Sequence, residues 1–266
     1  MIPGIFLWTL YRQRWSLLAW GVAFLALAIT MSSLYPSIAN MSDLQQLLEE
    51  YPAGLKAVFG LEGFDFSNPA SYLKHELFAL FVPALMLIFT IASGVGAVSV
   101  EESRKTLDLI LSLPVRRTAY IVQKFASSAA LTVMLSCTLF IGIWAAALIL
   151  DLNLNLANIA AGCLMVGALG IFGLALGMGL SAALGHSGAS LGIAVVVVAS
   201  AYLLHTIAPL VGWLEPYQKL SPYYYYAVSD PLLKGVNWTH LLVLLGLSAA
   251  ILALGIWRFE HRDIRS

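Results

Sequence analysis

Residues 156–184 read LANIAAGCLMVGALGIFGLALGMGLSAAL, an apolar run that contains no Asp, Glu, Lys or Arg. About 20 such residues suffice to cross a membrane, because the hydrocarbon core is about 30 Å thick and a helix rises about 1.5 Å per residue. Five more stretches have this character, with approximate bounds 15–35, 77–99, 119–150, 189–208 and 240–257. The sequence therefore predicts a single all-α integral membrane domain, residues 1–266, with six transmembrane helices.

The overall composition excludes an ordinary soluble protein. Of the 266 residues, 60% are hydrophobic and 11% are charged, against about 25% charged in typical globular domains. The 14 Lys and Arg balance the 14 Asp and Glu, so no net basic field points to nucleic acid. Cys137 and Cys163 lie in apolar runs without metal-ligand spacing, which favours buried small side chains over a disulfide framework or a zinc site.

The basic residues are distributed unequally between the two sides of the membrane. One side has ten, and the other has only Lys56, Lys74, Lys219 and Lys234. Because cytoplasmic segments carry the excess of Lys and Arg, both termini are predicted to be cytoplasmic. Residues 1–14 are typical of an interfacial helix on the inner membrane surface, and a plain N-terminal extension of the first span is the alternative.

The ionisable residues argue against a carrier driven by an ion gradient. Such carriers need Asp, Glu, His or Lys within the spans, and here the few candidates lie at span ends. They are Lys74, His75, Glu76 and His205.

No Gly-Lys pair occurs, so the chain has no P-loop of its own for nucleotide phosphates. No catalytic, cofactor-binding or metal-binding constellation is visible either, and the alternatives kept open are a secondary carrier or channel subunit and an intramembrane enzyme.

The densest cluster of charges lies between the second and third spans, in the coupling segment, residues 100–118. Within it Leu107, Ile110 and Leu111 recur at helical spacing, which places three apolar side chains on one face of a short helix that ends at Pro114. A helix of about two turns is marginal in water, so this face needs a surface to pack against. That surface is either a groove on a partner protein or the membrane itself.

Three segments resemble ABC-2 type permeases, the membrane subunits of ATP-driven exporters. The first is EESRKTLDLILSLPVRR at 101–117, the second is LSPYYY at 220–225 with DPL at 230–232, and the third is FEHRDI at 259–264. Their order and spacing, with six spans and cytoplasmic termini, favour docking of a partner protein on the coupling segment.

The resemblance implies a homodimer in the cell membrane, expected to be a prokaryotic inner membrane. Two copies of a separate cytoplasmic ATPase would bind ATP and Mg²⁺ and each receive one coupling helix. The substrate would pass between the permease copies, along the second and fifth spans. The implied docking residues are Glu101, Glu102, Arg104, Thr106, Leu107, Asp108, Ile110, Leu111 and Pro114. Arg116, Arg117 and Lys124 have an alternative role as inner-leaflet anchors.

The two long outer segments carry signals of their own. Residues 36–72 contain two apolar clusters at helical spacing and are predicted to form two short amphipathic helices. Residues 209–239 are interrupted by prolines and cannot form one continuous helix. The family resemblance implies a re-entrant hairpin in this second segment, and an aromatic loop outside the membrane is the alternative.

Glycines in two spans predict close packing between helices. Gly170, Gly173 and Gly177 share one face of the fourth span, and Gly188 and Gly192 form a G-x-x-x-G pair at the start of the fifth. Such faces let two helix backbones approach closely, without indicating whether the neighbour belongs to the same chain.

Overall fold

The computed structural model describes residues 3–39, 68–103 and 117–261, with the backbone alone at residues 3–5 and 100–103. Every regular element in these ranges is helical. The α-helices are α1 (Pro3–Ala39), α2 (Pro69–Leu73), α3 (Phe81–Ser103), α4 (Arg117–Ile149), α5 (Leu156–Leu184), α6 (Ser187–Ile207), α7 (Pro222–Ala227), α8 (Pro231–Lys234) and α9 (Trp238–Glu260). Six helical stretches are long and apolar enough to cross a membrane, which confirms the predicted fold. The two short helices predicted within residues 36–72 fall on residues outside the described ranges.

Helix α5 lies at the centre of the bundle, and its bounds coincide with the predicted fourth span. The Asn155 side chain caps its start by accepting a hydrogen bond from the backbone N of Ala157 at 2.9 Å. Gly185 ends it in the left-handed conformation, at a φ of 73°. The helix contacts α3, α4, α6 and α9. A helix that is apolar on all sides is stable only when it is surrounded, which accounts for its central place.

The glycine face of α5 brings α3 into backbone contact. A Cβ atom on Gly177 would lie 2.6 Å from the carbonyl oxygen of Ile91, and one on Gly94 would lie 2.6 Å from that of Leu174. Real Cβ atoms do not come this close to a backbone atom, so only glycine fits at these positions. The predicted close approach at this face is confirmed, and the neighbouring helix belongs to the same chain.

Helix α1 runs without a break from residue 3 to residue 39. Residues 3–14 are therefore continuous with the helix of the first span, and their placement at the inner membrane surface stays a prediction. Neither Gly nor Pro occurs from Ile5 to Trp20, so nothing in the local sequence interrupts the helix. The helix packs mainly on α4, where Phe24 and Ala28 are fully buried.

The second span begins earlier than predicted and is not one regular helix. Helix α2 leads through a π-helical turn, Lys74–Phe78, into α3. The Asn68 side chain caps α2 by accepting a hydrogen bond from the backbone N of Ala70 at 2.9 Å. A π-helical turn shifts the backbone ladder and leaves carbonyl groups open to other donors.

Two buried tyrosines of α7 donate to the carbonyl groups at this break. The Tyr226 hydroxyl donates to the carbonyl oxygen of Phe78 at 2.7 Å, and the Tyr223 hydroxyl donates to that of Ala79. Burial raises the pKa of both phenols, so they remain neutral donors at physiological pH. These two hydrogen bonds connect the segment that follows α6 to the start of the second span.

The segment between α6 and α9 is broken into short pieces, as its prolines predict. Two 3₁₀-helical turns, Ala208–Leu210 and Glu215–Leu220, precede α7 and α8. An ion pair adds a second link to the start of the second span, because Nζ of Lys74 lies 2.5 Å from Oδ1 of Asp230. The re-entrant arrangement of this segment stays a prediction.

Helix α6 is the least covered of the long helices. Within it only Ser190 and Ala194 are buried. Gly188 and Gly192 have open space where a Cβ would stand, so the described residues of this chain supply no close neighbour at the predicted pair. A long apolar helix with this exposure is suited to contact with lipid or with another membrane chain.

Candidate functional site

The predicted docking residues lie between the end of α3 and the start of α4. Glu101 and Glu102 belong to the last turn of α3, where only the backbone is described. Of the predicted anchors, Arg117 begins α4 and Lys124 lies two turns further on. The other predicted residues lie outside the described ranges, and they are Arg104, Thr106, Leu107, Asp108, Ile110, Leu111, Pro114 and Arg116. The structure thus describes the two helices that support the coupling segment.

Four helices meet in a packed cluster near the ends of the coupling segment, which we call the inner hub. Its members come from α3, α4, α5 and α9 and are fully buried: Val98, Tyr120, Ile121, Met178 and Phe259. The Tyr120 hydroxyl also donates to the carbonyl oxygen of Ala97 at 3.1 Å. This bond ties α4 to α3, one on each side of the coupling segment. Both supporting helices are therefore held against the centre of the bundle.

The Ser181 hydroxyl of α5 is inserted into the hydrogen-bond ladder of α3. Its Oγ accepts from the backbone N of Ser99 at 3.0 Å and donates to the carbonyl oxygen of Val95 at 3.0 Å. An α-helix normally joins such a pair, four residues apart, directly. The Ser99 Oγ lies 2.5 Å from Ser181 Oγ and completes the cluster. One side chain of the central helix thus fixes the turn of α3 that precedes Glu101.

Replacing Ser181 by Ala is expected to lower the thermal stability of the chain. The backbone groups of Ser99 and Val95 are buried, and loss of their bridging hydroxyl costs about 1–3 kcal/mol. The midpoint of thermal unfolding of the purified chain in detergent, followed by size-exclusion chromatography, measures the effect. Ser33→Ala is the matched control, because the exposed Ser33 hydroxyl bonds only within its own helix, to the carbonyl of Thr30. Equal midpoints in the two variants would show that the bridge contributes nothing.

Lys124 is placed inside the protein, with 3% of its surface exposed. Its Nζ lies 5.1 Å from the ring centroid of Trp8 and 5.8 Å from that of Tyr120. Cations over aromatic rings at these distances are attracted by the negative ring face. Lys124 therefore joins α1 to the inner hub, and its role as a lipid anchor stays a prediction, as does that of Arg117.

The sequence from residue 10 to residue 264 matches the family described as ABC-2 family transporter protein. The chain belongs to the ABC-2 transporter family. No curated protein matches it closely enough to serve as a relative. The matched range contains all of the six apolar helical stretches except the first turns of α1, so the family resemblance of the sequence is confirmed over nearly the whole chain.

Membership of the ABC-2 family, with six helices able to span a membrane, makes the chain a multi-pass membrane protein. An ABC-2 permease is a component of membrane transport and is not itself catalytic. Among the described residues, no group of three or more His, Cys, Asp or Glu is arranged to hold a metal ion.

The coupling segment of this ABC-2 permease stays a prediction from the sequence, and the sequence did not predict the inner hub. Tyr120 and Ser181 lie within apolar spans, and a polar group there must find a partner because the hydrocarbon offers none. That requirement is the signal that could have marked both residues. The sequence does not show which group each of them bonds to, since Ser181 and its partner Ser99 are 82 residues apart.

Proposed function

We propose that the chain is the permease subunit of an ABC exporter, driven by a separate ATPase that docks on the coupling segment. The observation that carries the proposal is that both helices flanking this segment are tied into the inner hub. Family membership supports it, because ABC-2 permeases typically work with an ATPase subunit. ATP and Mg²⁺ bind to that ATPase, since the permease sequence has no P-loop.

A force on the coupling segment can reach the spans because its two flanks are fixed. Tyr120 holds α4 against α3, and Ser181 holds α3 against α5. A displacement of the segment is therefore expected to move these helices together, since closely packed interiors transmit strain. Closure of the ATPase pair on ATP would then rock the spans between inward-facing and outward-facing states, a rigid-body transition.

The charged side chains support an external motor over an ion gradient. Lys74 pairs with Asp230 at one end of the described spans, while Arg12 and Lys124 lie near the other. Ion-driven carriers place such groups along a path through the membrane interior. The secondary carrier is therefore the weaker alternative, and the intramembrane enzyme has no described constellation of residues in its favour.

The proposed assembly is a homodimer with both termini in the cytoplasm and the substrate path between the two copies. The exposure of α6, which is the fifth span, supports a second copy as its neighbour. Helix α3, the second span, presents Ile88 and Ala92 on an exposed face of its own. These two helices are the lining that the family resemblance implies.

Purification of the tagged chain from its native membrane tests the proposed function. We expect an ABC ATPase to copurify in equal copy number, and the mass of the intact complex to correspond to two copies of each subunit. In reconstituted vesicles, transport should require ATP and persist without an ion gradient. An isolated chain that transports on an ion gradient without ATP would establish the carrier alternative instead, and product formation by the chain alone would establish the enzyme.

A further inference from the structure

Two prolines leave two carbonyl groups in the second and fifth spans without their helical donors. In an α-helix a carbonyl oxygen accepts a hydrogen bond from the backbone N–H four residues later, and proline has no N–H. Pro83 therefore leaves the carbonyl of Ala79, just before α3, without this donor. Pro209 does the same to the carbonyl of His205 in the last turn of α6. Because hydrocarbon offers no hydrogen bonds, both carbonyls need a donor from elsewhere in the protein.

A single segment supplies both missing donors. We call it the strap, residues 215–234, which contains the second 3₁₀-helical turn, α7 and α8. The side-chain amide of Gln218 donates from Nε2 to the carbonyl oxygen of His205 at 3.1 Å. The hydroxyl of Tyr223 donates to the carbonyl oxygen of Ala79. Two side chains of one short segment thus replace N–H groups that are missing from two different spans.

Other contacts hold the strap against the same part of the bundle. Ser221 donates from Oγ to the carbonyl oxygen of Ala201 in α6 at 2.7 Å. Asn158 of α5 donates from Nδ2 to the carbonyl oxygen of Leu232 in α8 at 3.0 Å. The ion pair of Asp230 reaches the π-helical turn of the second span. The strap therefore contacts the second, fourth and fifth spans.

We propose that the strap holds the ends of the second and fifth spans together as one body, and that Gln218 and Tyr223 are its positioning residues. Separation of the strap from either span would leave a carbonyl group without a donor, and this penalty keeps the contacts closed. The consequence for transport rests on the proposed function, which makes these two spans the lining of the substrate path. That path would open between the two copies, while the second and fifth spans of one copy keep their spacing.

Paired substitutions test whether the two side chains act as substitute donors. Tyr223→Phe removes one donor and keeps the ring, which packs on Tyr202 at a centroid distance of 5.1 Å. Gln218→Met removes the other donor and keeps the length of the side chain. We expect each change to lower the thermal midpoint of the full-length chain, purified in detergent with any bound partners, by about 2–4 °C. Pro83→Ala should restore the midpoint of Tyr223→Phe, because residue 83 then carries the N–H that the carbonyl of Ala79 lacks.

The rescue at the second proline is the control for the first. Pro209→Ala should restore the midpoint of Gln218→Met, because it returns an N–H to the carbonyl of His205. Pro83→Ala should not rescue Gln218→Met, and Pro209→Ala should not rescue Tyr223→Phe. Equal rescue in the matched and crossed pairs, or no rescue in the matched pairs, would overturn the assignment of these two side chains as substitute donors.

Distances between spin labels test whether the two span ends form one body. Labels are attached at Phe81→Cys in α3 and Leu203→Cys in α6, both exposed positions, after the exposed Cys137 is replaced by Ser. Double electron–electron resonance on the full-length chain in lipid nanodiscs should give one narrow distance. In the variant that lacks both donors, we expect the population at longer distance to rise about tenfold for each lost bond.

The control for the distances is Tyr217→Phe with Tyr224→Phe. It removes two hydroxyl groups of the strap that form no hydrogen bond with any residue in the described ranges, so the narrow distance should remain. The same distances in this control and in the variant that lacks both donors would overturn the proposal. A change in the wild-type distance when ATP is added to the complex with the ATPase would overturn it as well. Failure to recover an ATPase would count against the proposed function alone, because the rescues and the distances without ATP need no partner.

Discussion

Loss of the ATPase is the result expected when Leu107→Asp and Leu111→Asp are combined. Both residues lie on the apolar face of the predicted coupling helix, which the proposed function places in a groove of the ATPase. A carboxylate in such a desolvated contact costs about 2 kcal/mol or more, so two of them should weaken docking about a thousandfold. The quantity to measure is the ratio of ATPase to permease after affinity purification, by quantitative mass spectrometry.

The control for this experiment keeps the apolar face and changes only its shape. Leu107→Ile with Leu111→Ile should retain the ATPase at near the wild-type ratio, because both side chains remain apolar and similar in volume. Both double variants should insert normally, since the changes lie outside the six predicted spans. Wild-type recovery of the ATPase with the double Asp variant would reject docking at this face and favour the alternative, a helix that lies on the membrane surface.

Helix α5 shows how much of the fold local sequence can predict. Its predicted bounds, 156–184, coincide with the structure because everything that determines them is local. The residues are apolar throughout, Asn155 caps the start and Gly185 ends the helix. The second span shows the limit. The predicted start is residue 77, whereas the structure begins this span at residue 69, because α2 and the π-helical turn precede α3. Tyr226, which satisfies a carbonyl at that turn, lies 148 residues further along the chain, and hydropathy does not report such a contact.

The candidate site is predictable to a smaller extent. The coupling segment is recognisable because its apolar spacing, its charges and Pro114 are all local features. The Ser181 bridge depends on the register between α3 and α5, which no single stretch of sequence records. Lys124 illustrates the same limit, because its charge alone suggests a lipid anchor, whereas its burial follows from the packing of Trp8 on α4.

The contact between α3 and α5 leads to a second large effect, the loss of stability expected for Gly177→Ala. In an exposed helix this change stabilises by up to about 1 kcal/mol, because Ala is the better helix former. Here the new methyl group would stand 2.6 Å from the carbonyl oxygen of Ile91 and 3.2 Å from its Cα. Backbone atoms cannot rotate away, so the two helices must separate and loosen the packing of the bundle.

A graded series of Gly→Ala variants distinguishes this clash from a general effect of the substitution. At Gly162 the nearest atom to a Cβ is Cε1 of Phe78 at 3.1 Å, a side-chain atom that can shift, and at Gly192 there is no atom within 4 Å. We expect the thermal midpoint in detergent to fall most for Gly177→Ala, less for Gly162→Ala, and to stay equal or rise for Gly192→Ala. All three positions are helical glycines in apolar spans, so the gain in helix propensity from Gly to Ala is the same at each. Only the distance from the new Cβ to the nearest atom differs. A midpoint for Gly177→Ala equal to that for Gly192→Ala would mean that α3 and α5 are further apart than the backbone contact requires.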